Sequence, residues 1–371
     1  MVETAYVESG SVALAVGLMS GTSLDGVDAA LIRTDGLSTV ETLGAVTVPY
    51  DQELRESLRD SITRAEWLPD VDAVAASLTR AHAEAVSALM AASGVPLQTV
   101  HVIGFHGQTI LHRPEAGMTW QIGDGAMLAS LTGVDVVSDF RSADVDSGGE
   151  GAPLAPIFHA AIAANMDKPV AILNVGGVAN VTWIGDGDGG GIDLLAFDTG
   201  PGNAMIDDWM LARMGSPMDK DGALAATGNV HADIVDAMLK DDYFKRPPPK
   251  SLDRNAFSAD PVAGLSPSDG AATLTAFTAA AVGRAMDHFS ALPARWLVCG
   301  GGRRNGTLMS MLAARVQAPL DPIEAIGWDG DSLEAQAFGY LAVRHLRGLP
   351  ISFPATTGVS APMTGGALDQ A

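Results

Sequence analysis

A single cysteine, Cys299, in 371 residues excludes an internal disulfide and leaves no thiolate set for zinc. Basic residues are scarce as well. Twenty-two Lys and Arg stand against 44 Asp and Glu, a net charge of −22 with no Lys/Arg cluster, which repels nucleic acid and anionic membrane surfaces. No apolar run reaches the roughly 18 uncharged residues of a membrane span. Met1–Gly10 carries Glu3 and Glu8 without Lys or Arg, so it lacks the basic flank of a secretory signal. The expectation is a cytoplasmic protein with no membrane or nucleic-acid partner. Three motifs are missing too. There is no GxxxxGK[ST] loop, His101, His106 and His112 lack HExxH spacing, and the EF-hand-like starts at Asp144 and Asp219 have Ala155 and Val230 where a bidentate Glu is needed. An anionic ligand would have to be held by backbone N–H groups, helix N-termini and a divalent cation.

The chain is longer than the about 250–300 residues at which single cores stop growing, and 47% of it is hydrophobic, so two globular domains are expected. Apolar runs at Leu14–Met19 and Val27–Arg33 flank a Ser/Gly/Thr turn and read as a hairpin. A third strand at Thr39–Val48, helices at about Gln52–Ala65 and Val71–Ser93, and a buried strand at Thr99–Phe105 ending in a glycine turn follow. The pattern then recurs. Strands at Val170–Val175, Ala179–Ile184 and Leu194–Phe197 precede helices from about Ala204, and a strand at Trp296–Cys299 ends in Gly300–Gly302 before another helix. Two such halves facing each other enclose a cleft, a common place for a nucleotide and its co-substrate. The Gly- and Pro-containing connection Asp139–Pro156 is the expected hinge.

Chemistry can sit at several of the turns. In Ser20-Gly21-Thr22-Ser23-Leu24-Asp25-Gly26-Val27-Asp28, two glycines let backbone approach a phosphate, hydroxyls can donate to it, and Asp25 can hold magnesium or its waters; the same composition also makes an ordinary turn. Phe197-Asp198-Thr199-Gly200-Pro201-Gly202-Asn203 puts a carboxylate at a strand end before a helix. There Asp198 can be a base, with the following N–H groups meeting a phosphate, or it can be a helix cap. Gly300, Gly301 and Gly302 can let an adenine or ribose lie flat on the backbone, or be a plain loop. Asn174, Gly176 and Gly177 repeat the logic of the first turn. His106 and Gln108, just after a buried strand, can touch substrate or be ordinary hydrogen-bonded residues.

The order of these pieces resembles the actin, hexokinase and sugar-kinase superfamily. One branch fits more closely. GLMSGTSLDGVDAALI (17–32), GFHGQTILHRP (104–114), QIGDGAMLA (121–129), SDFRSADVDSGGEGAPLAPIFH (138–159), NVGGVANVT (174–182), FDTGPGNAMID (197–207), DKDGALAATG (219–228) and DSLEAQAFGYLA (331–342) resemble the anhydro-N-acetylmuramic acid kinase family. The resemblance implies an α/β fold of two RNase-H-like domains with a central interdomain cleft. The first is expected to span 1–140 plus about 350–371, the second 141–349. It implies that ATP phosphates bind at Gly21–Asp28 with magnesium, and that Asp198 is the base activating water against the anomeric carbon of a 1,6-anhydro sugar, whose freed 6-oxygen takes the γ-phosphoryl group. It also implies that Arg141 and Glu334 face the sugar, and that the protein is a homodimer. Two departures stand out, at Lys250–Phe257 and at Arg303-Arg304. The competing expectations are a kinase for another amino sugar, which would alter the His106–Gln108 and Asp139–Arg141 blocks, and a non-catalytic sugar-binding regulator, which would lose Asp198 or the first turn.

Overall fold

In the computed structural model, residues 11–21, 24–64, 71–187 and 192–371 are described. The chain divides into two compact units, one running up to Ala164 and resuming at Ser332–Ala371, the other Asn165–Asp331. These boundaries differ from those read in the sequence at 140/141 and 349/350. The segment expected as a hinge, Asp139–Pro156, lies inside the first unit.

The first unit contains β1 (Ala13–Ser20), β2 (Gly26–Thr34), β3 (Val40–Pro49), α1 (Gln52–Thr63), α2 (Val71–Ser93), β4 (Val102–Arg113), β5 (Met118–Ile122), α3 (Gly125–Thr132), β6 (Val136–Ser138), α4 (Ser142–Asp146) and α5 (Pro156–Ile162). The second contains β7 (Val170–Val175), β8 (Val178–Asp186), β9 (Ile192–Pro201), α6 (Ala204–Met214), α7 (Ala232–Met238), α8 (Pro267–Ala285), β10 (Arg295–Cys299), α9 (Gly306–Val316) and β11 (Leu320–Pro322). The chain then returns to the first unit with α10 (Leu333–Leu346), α11 (Pro354–Thr357) and β12 (Ala367–Asp369).

The first sheet runs β12-β6-β4-β1-β2-β3, with β5 paired to β4, and the second runs β11-β10-β7-β8-β9. In both, the first three strands form an antiparallel meander and the fourth joins the first in parallel. A further parallel strand follows, β6 in one unit and β11 in the other. The repeat read from the sequence is thus a repeat of topology, and each unit has the RNase-H-like strand order.

Alternation along β1 explains the two covered faces of the first sheet. Val16 and Leu18 point into a core that includes Leu78, Val86 and Leu89 of α2. Gly17 points the other way, where an added Cβ would lie 1.7 Å from the Ala335 carbonyl oxygen of α10. Gly104 on β4 repeats this, 2.1 Å from the Phe338 carbonyl. Only glycine lets the helix backbone come this close, which is why α10 belongs to the first unit although it follows the second in sequence. The guanidinium of Arg344 fixes the far end of the helix, donating to Pro350 O and Gly36 O at 2.7 Å each. Removing one core side chain, as in Leu89→Ala, would cost about 2–5 kcal/mol.

Two strands differ from the sequence reading in a way that matters for the site. β4 does not end at Phe105 but continues through Gly107, at φ +70°, to Arg113, because β5 pairs with its second half. β9 likewise continues past Phe197 to Pro201, because β8 keeps pairing with it across an irregularity between Ala179 and Asn180. Asp198 therefore sits within a paired strand, opposite Asn180, rather than at a strand end, and it is not the cap of α6.

Candidate active site

In the first unit, Ser20 closes β1 and is buried. Tyr50 donates its hydroxyl to Ser20 Oγ at 2.6 Å, and Ser20 donates to Gln108 Oε1 at 2.5 Å. Gln108 is fully buried and also donates to Thr109 O. The network ties β1, β4 and the end of β3 at the root of the first turn. Burial pushes the Tyr50 phenol well above its ordinary value, so the network stays neutral. Of the turn residues, Thr22 and Ser23 lie outside the described residues. Leu24 and Val27 point inward as core side chains, which leaves only their backbone for a ligand. Gly26 has a packing reason, since a Cβ there would lie 2.2 Å from Val48 O. Asp25 is exposed, and Asp28 accepts from Thr47 Oγ1 at 2.6 Å.

His106 and Arg141 are in direct contact. Arg141 donates through Nε and Nη2 to His106 Nε2 at 3.1 and 3.0 Å, and through Nη1 to Gly151 O at 2.7 Å. Asp144 holds the same loop, accepting from Gly151 N–H and Thr357 Oγ1 at 2.6 Å each. Glu334, exposed in the first turn of α10, is near enough for its charge to act on Arg141. Burial lowers Arg141 to about 10, against the opposing pull of Glu334 and Asp144, so it stays cationic. His106 is held well below its ordinary range by burial and by Arg141. His106, Arg141 and Glu334 are thus brought to one place, while Gln108 belongs to the neighbouring network.

In the second unit three glycine turns converge. Gly202 N–H and Asn203 N–H donate to Gly177 O and Gly176 O at 2.9 and 2.8 Å, and Asn203 Nδ2 reaches Val175 O at 3.0 Å. Gly300, at φ +71°, packs so tightly that a Cβ would lie 2.2 Å from Asn174 Oδ1, and one on Gly302 would lie 2.5 Å from the Val175 side chain. The glycines fall into two groups. At Gly200, Gly202, Gly300 and Gly302 a Cβ would collide with the protein's own atoms, whereas at Gly176, Gly177 and Gly301 nothing stands closer than 3.5 Å. Packing accounts for the first group; in the second a Cβ would meet only ordinary van der Waals contacts, so no packing of the protein's own atoms demands a glycine there.

Asp198 is half-buried near these turns in sequence, with Oδ2 accepting from Leu252 N–H at 2.8 Å. Loop 250–257 also brings Arg254 to α6, where it pairs with Asp208 at 2.9 Å and stands 3.8 Å from where a Cβ on Gly177 would lie. Asp207 beside it is pushed up to about 6 by burial and by the Asp208 charge. Arg303 is nearly buried; it bridges Glu324 at 2.7 Å and Asp331 at 2.9 Å and donates to Gly300 O at 3.0 Å, while Arg304 also pairs with Asp331. The paired arginines therefore brace the triple-glycine turn. Next to it, an open cavity of about 540 Å³ is lined by Asp221, Ala225, Gly228, Gly306, Thr307 and Met311. The sequence reading missed Tyr50, Asp207, the ties on Asp198 and this cavity. Asp207 closes the motif 197–207, and Asp221, Ala225 and Gly228 of the cavity fall within the motif 219–228, but no local signal gives Tyr50 or the ties on Asp198, whose partners are distant in sequence.

No three His, Cys, Asp or Glu side chains among the described residues group to hold a metal ion, and no described helix is long and apolar enough to cross a membrane.

Two units that repeat one RNase-H-like strand order, in a chain that matches a kinase family over nearly its whole length, define a phosphotransferase. The profile of the family described as anhydro-N-acetylmuramic acid kinase matches residues 13–371, and the chain belongs to that family. Proteins of that name from Rhodospirillum rubrum and Rhizorhabdus wittichii are 56% and 55% identical to it over 361 and 359 residues. These alignments cover 97% and 95% of this chain and 95% and 98% of the relatives. The namesake from Zymomonas mobilis is 51% identical over 362 residues, 95% of this chain and 98% of its own.

Proposed function

We propose that this kinase opens 1,6-anhydro-N-acetylmuramic acid with water and phosphorylates the freed oxygen, yielding N-acetylmuramate 6-phosphate and ADP for the recycling of cell-wall sugars. Asp198 takes a proton from the attacking water as its oxygen bonds to the anomeric carbon. The bond from that carbon to the 6-oxygen breaks, and the 6-oxygen displaces ADP from the γ-phosphorus. Arg141, oriented by His106 and Gly151, pairs with the lactyl carboxylate, and Glu334 completes the sugar side, while the buried Gln108 serves the Ser20–Tyr50 network. The turns at Gly21–Asp28, Asn174–Gly177 and Gly300–Gly302 receive the nucleotide, and Gly200–Gly202 braces the second of them, with Gly202 N–H donating to Gly177 O.

The observation that carries this reading is a carboxylate fixed by a backbone donor, in the same unit as three turn glycines that the protein's own packing does not require. Magnesium bound to ATP would spread the phosphate charge. The exposed Asp25, without a grouped set of carboxylates, fits a cation that keeps several waters and arrives with the phosphates. A cytoplasmic homodimer completes the proposal.

The test is ADP release with magnesium-ATP and 1,6-anhydro-N-acetylmuramic acid, against N-acetylmuramic acid as control sugar and Asp198→Asn as control protein. Turnover that depends on the anhydro sugar and disappears in the variant is expected. Turnover with the control sugar alone, or an unimpaired variant, would sink the assignment.

A further inference from the structure

One loop holds Asp198 through three of its atoms. Its backbone N–H donates to Lys250 O at 3.0 Å, its backbone carbonyl accepts from the Tyr243 hydroxyl, and its Oδ2 accepts from Leu252 N–H at 2.8 Å. β8 lies on the other side of the strand, where the register slips between Ala179 and Asn180, so regular pairing alone does not fix this residue. The loop is itself anchored. Lys250 is 4% exposed, donates Nζ to Tyr243 O at 3.1 Å and lies over the Tyr243 ring at 4.7 Å and the Phe197 ring at 5.7 Å. A lysine in such a place has lost most of its hydration, and the carbonyl and the two ring faces replace it. The Tyr243 ring meets Phe244 and Phe257 edge-on, with centroids 5.5 and 6.2 Å apart.

The ammonium of Lys250, the Tyr243 carbonyl, the Tyr243 hydroxyl and the Asp198 peptide thus form a closed ring of contacts, and Leu252 N–H is delivered to the carboxylate by the same stretch of chain. We propose that Tyr243 is a positioning residue for Asp198, its hydroxyl locking the Asp198 peptide so that the carboxylate keeps one orientation toward the attacking water. The assignment rests on Asp198 acting as the base. Tyr243 touches no reacting atom in this scheme. It acts through the backbone of Asp198, and a base displaced by a fraction of an ångström loses rate rather than substrate affinity.

Tyr243→Phe removes the hydroxyl and leaves the ring, its aromatic neighbours and the face under Lys250. With the full chain and both substrates, kcat is expected to fall roughly tenfold while KM for ATP and for the anhydro sugar each stay within about twofold. Phe257→Leu, in the same aromatic cluster but with no bond to Asp198, is the control for loosened packing. It is expected to lower the melting temperature with kcat within about twofold of the parent. A Tyr243→Phe enzyme with parental kcat would overturn the proposal, as would one in which both KM values rise with kcat, or one that Phe257→Leu reproduces. Asp198→Asn separates the two ideas. If it abolishes turnover while Tyr243→Phe is silent, only the positioning role fails; if it retains turnover, the base assignment fails and takes this proposal with it.

Discussion

Arg141 directs two of its N–H groups at the single Nε2 of His106. Because a guanidinium only donates, Nε2 must be bare, and the ring proton lies on Nδ1, where it donates to Gly107 O at 2.9 Å. The histidine is thus neutral and serves as an acceptor that orients the arginine.

That neutrality is shared by three more histidines of the first unit. Burial lowers His82 and His112 to about 4 and His159 to about 3, and holds His106 well below its ordinary range. A depressed folded value means that the unfolded chain binds more protons below about pH 6.5, so stability is complete above that pH and lost on acidification. Each such histidine contributes a slope of about 1.4 kcal/mol per pH unit between its two values. Thermal unfolding followed from pH 7.5 to 5 should show a steep fall in melting temperature below about 6.5. A flat curve would mean that these rings are solvated.

Arg141→Lys keeps the charge but cannot reach His106 and Gly151 together with a planar fork. KM for the anhydro sugar is expected to rise at least about tenfold while KM for ATP stays within about twofold. Parallel changes in both constants, measured by coupled ADP assay, would count against a sugar-facing arginine.

The two groups of glycines make a paired prediction. Gly301→Ala meets nothing within 3.8 Å, so the protein should fold with an unchanged melting temperature while KM for ATP rises severalfold. Gly300→Ala places a methyl 2.2 Å from Asn174 Oδ1 at φ +71° and should cost about 1–3 kcal/mol in denaturant unfolding. If Gly301→Ala binds ATP as the parent does, no nucleotide lies over that turn.

Asp207 carries a strain of the opposite sign to the histidines. Its folded value, raised to about 6, makes the ionised form costly above that pH and harmless below the ordinary carboxylate range. Because the group is partly solvated, Asp207→Asn should stabilise the protein by only about 1 kcal/mol at pH 8 and by less at pH 5. Denaturant melts at the two pH values test this, and equal effects at both would remove the titration argument.

The sequence by itself determined the repeat, the limits of α2 and β7, and the motifs at 17–32, 174–182, 197–207 and 300–302, because hydrophobic periodicity and glycine-rich turns are local signals. Tertiary structure alone decided where strands stop, which unit α10 joins, and what surrounds Asp198. β4 and β9 outrun their local pattern because β5 and β8 go on supplying hydrogen-bond partners. The helix after the second unit returns to the first because Gly17 and Gly104 leave room for its backbone and for nothing larger. Tyr243, Lys250 and Leu252 carry no motif. They matter through three bonds to a residue some fifty positions away, and pairings of that range depend on how the chain has already folded.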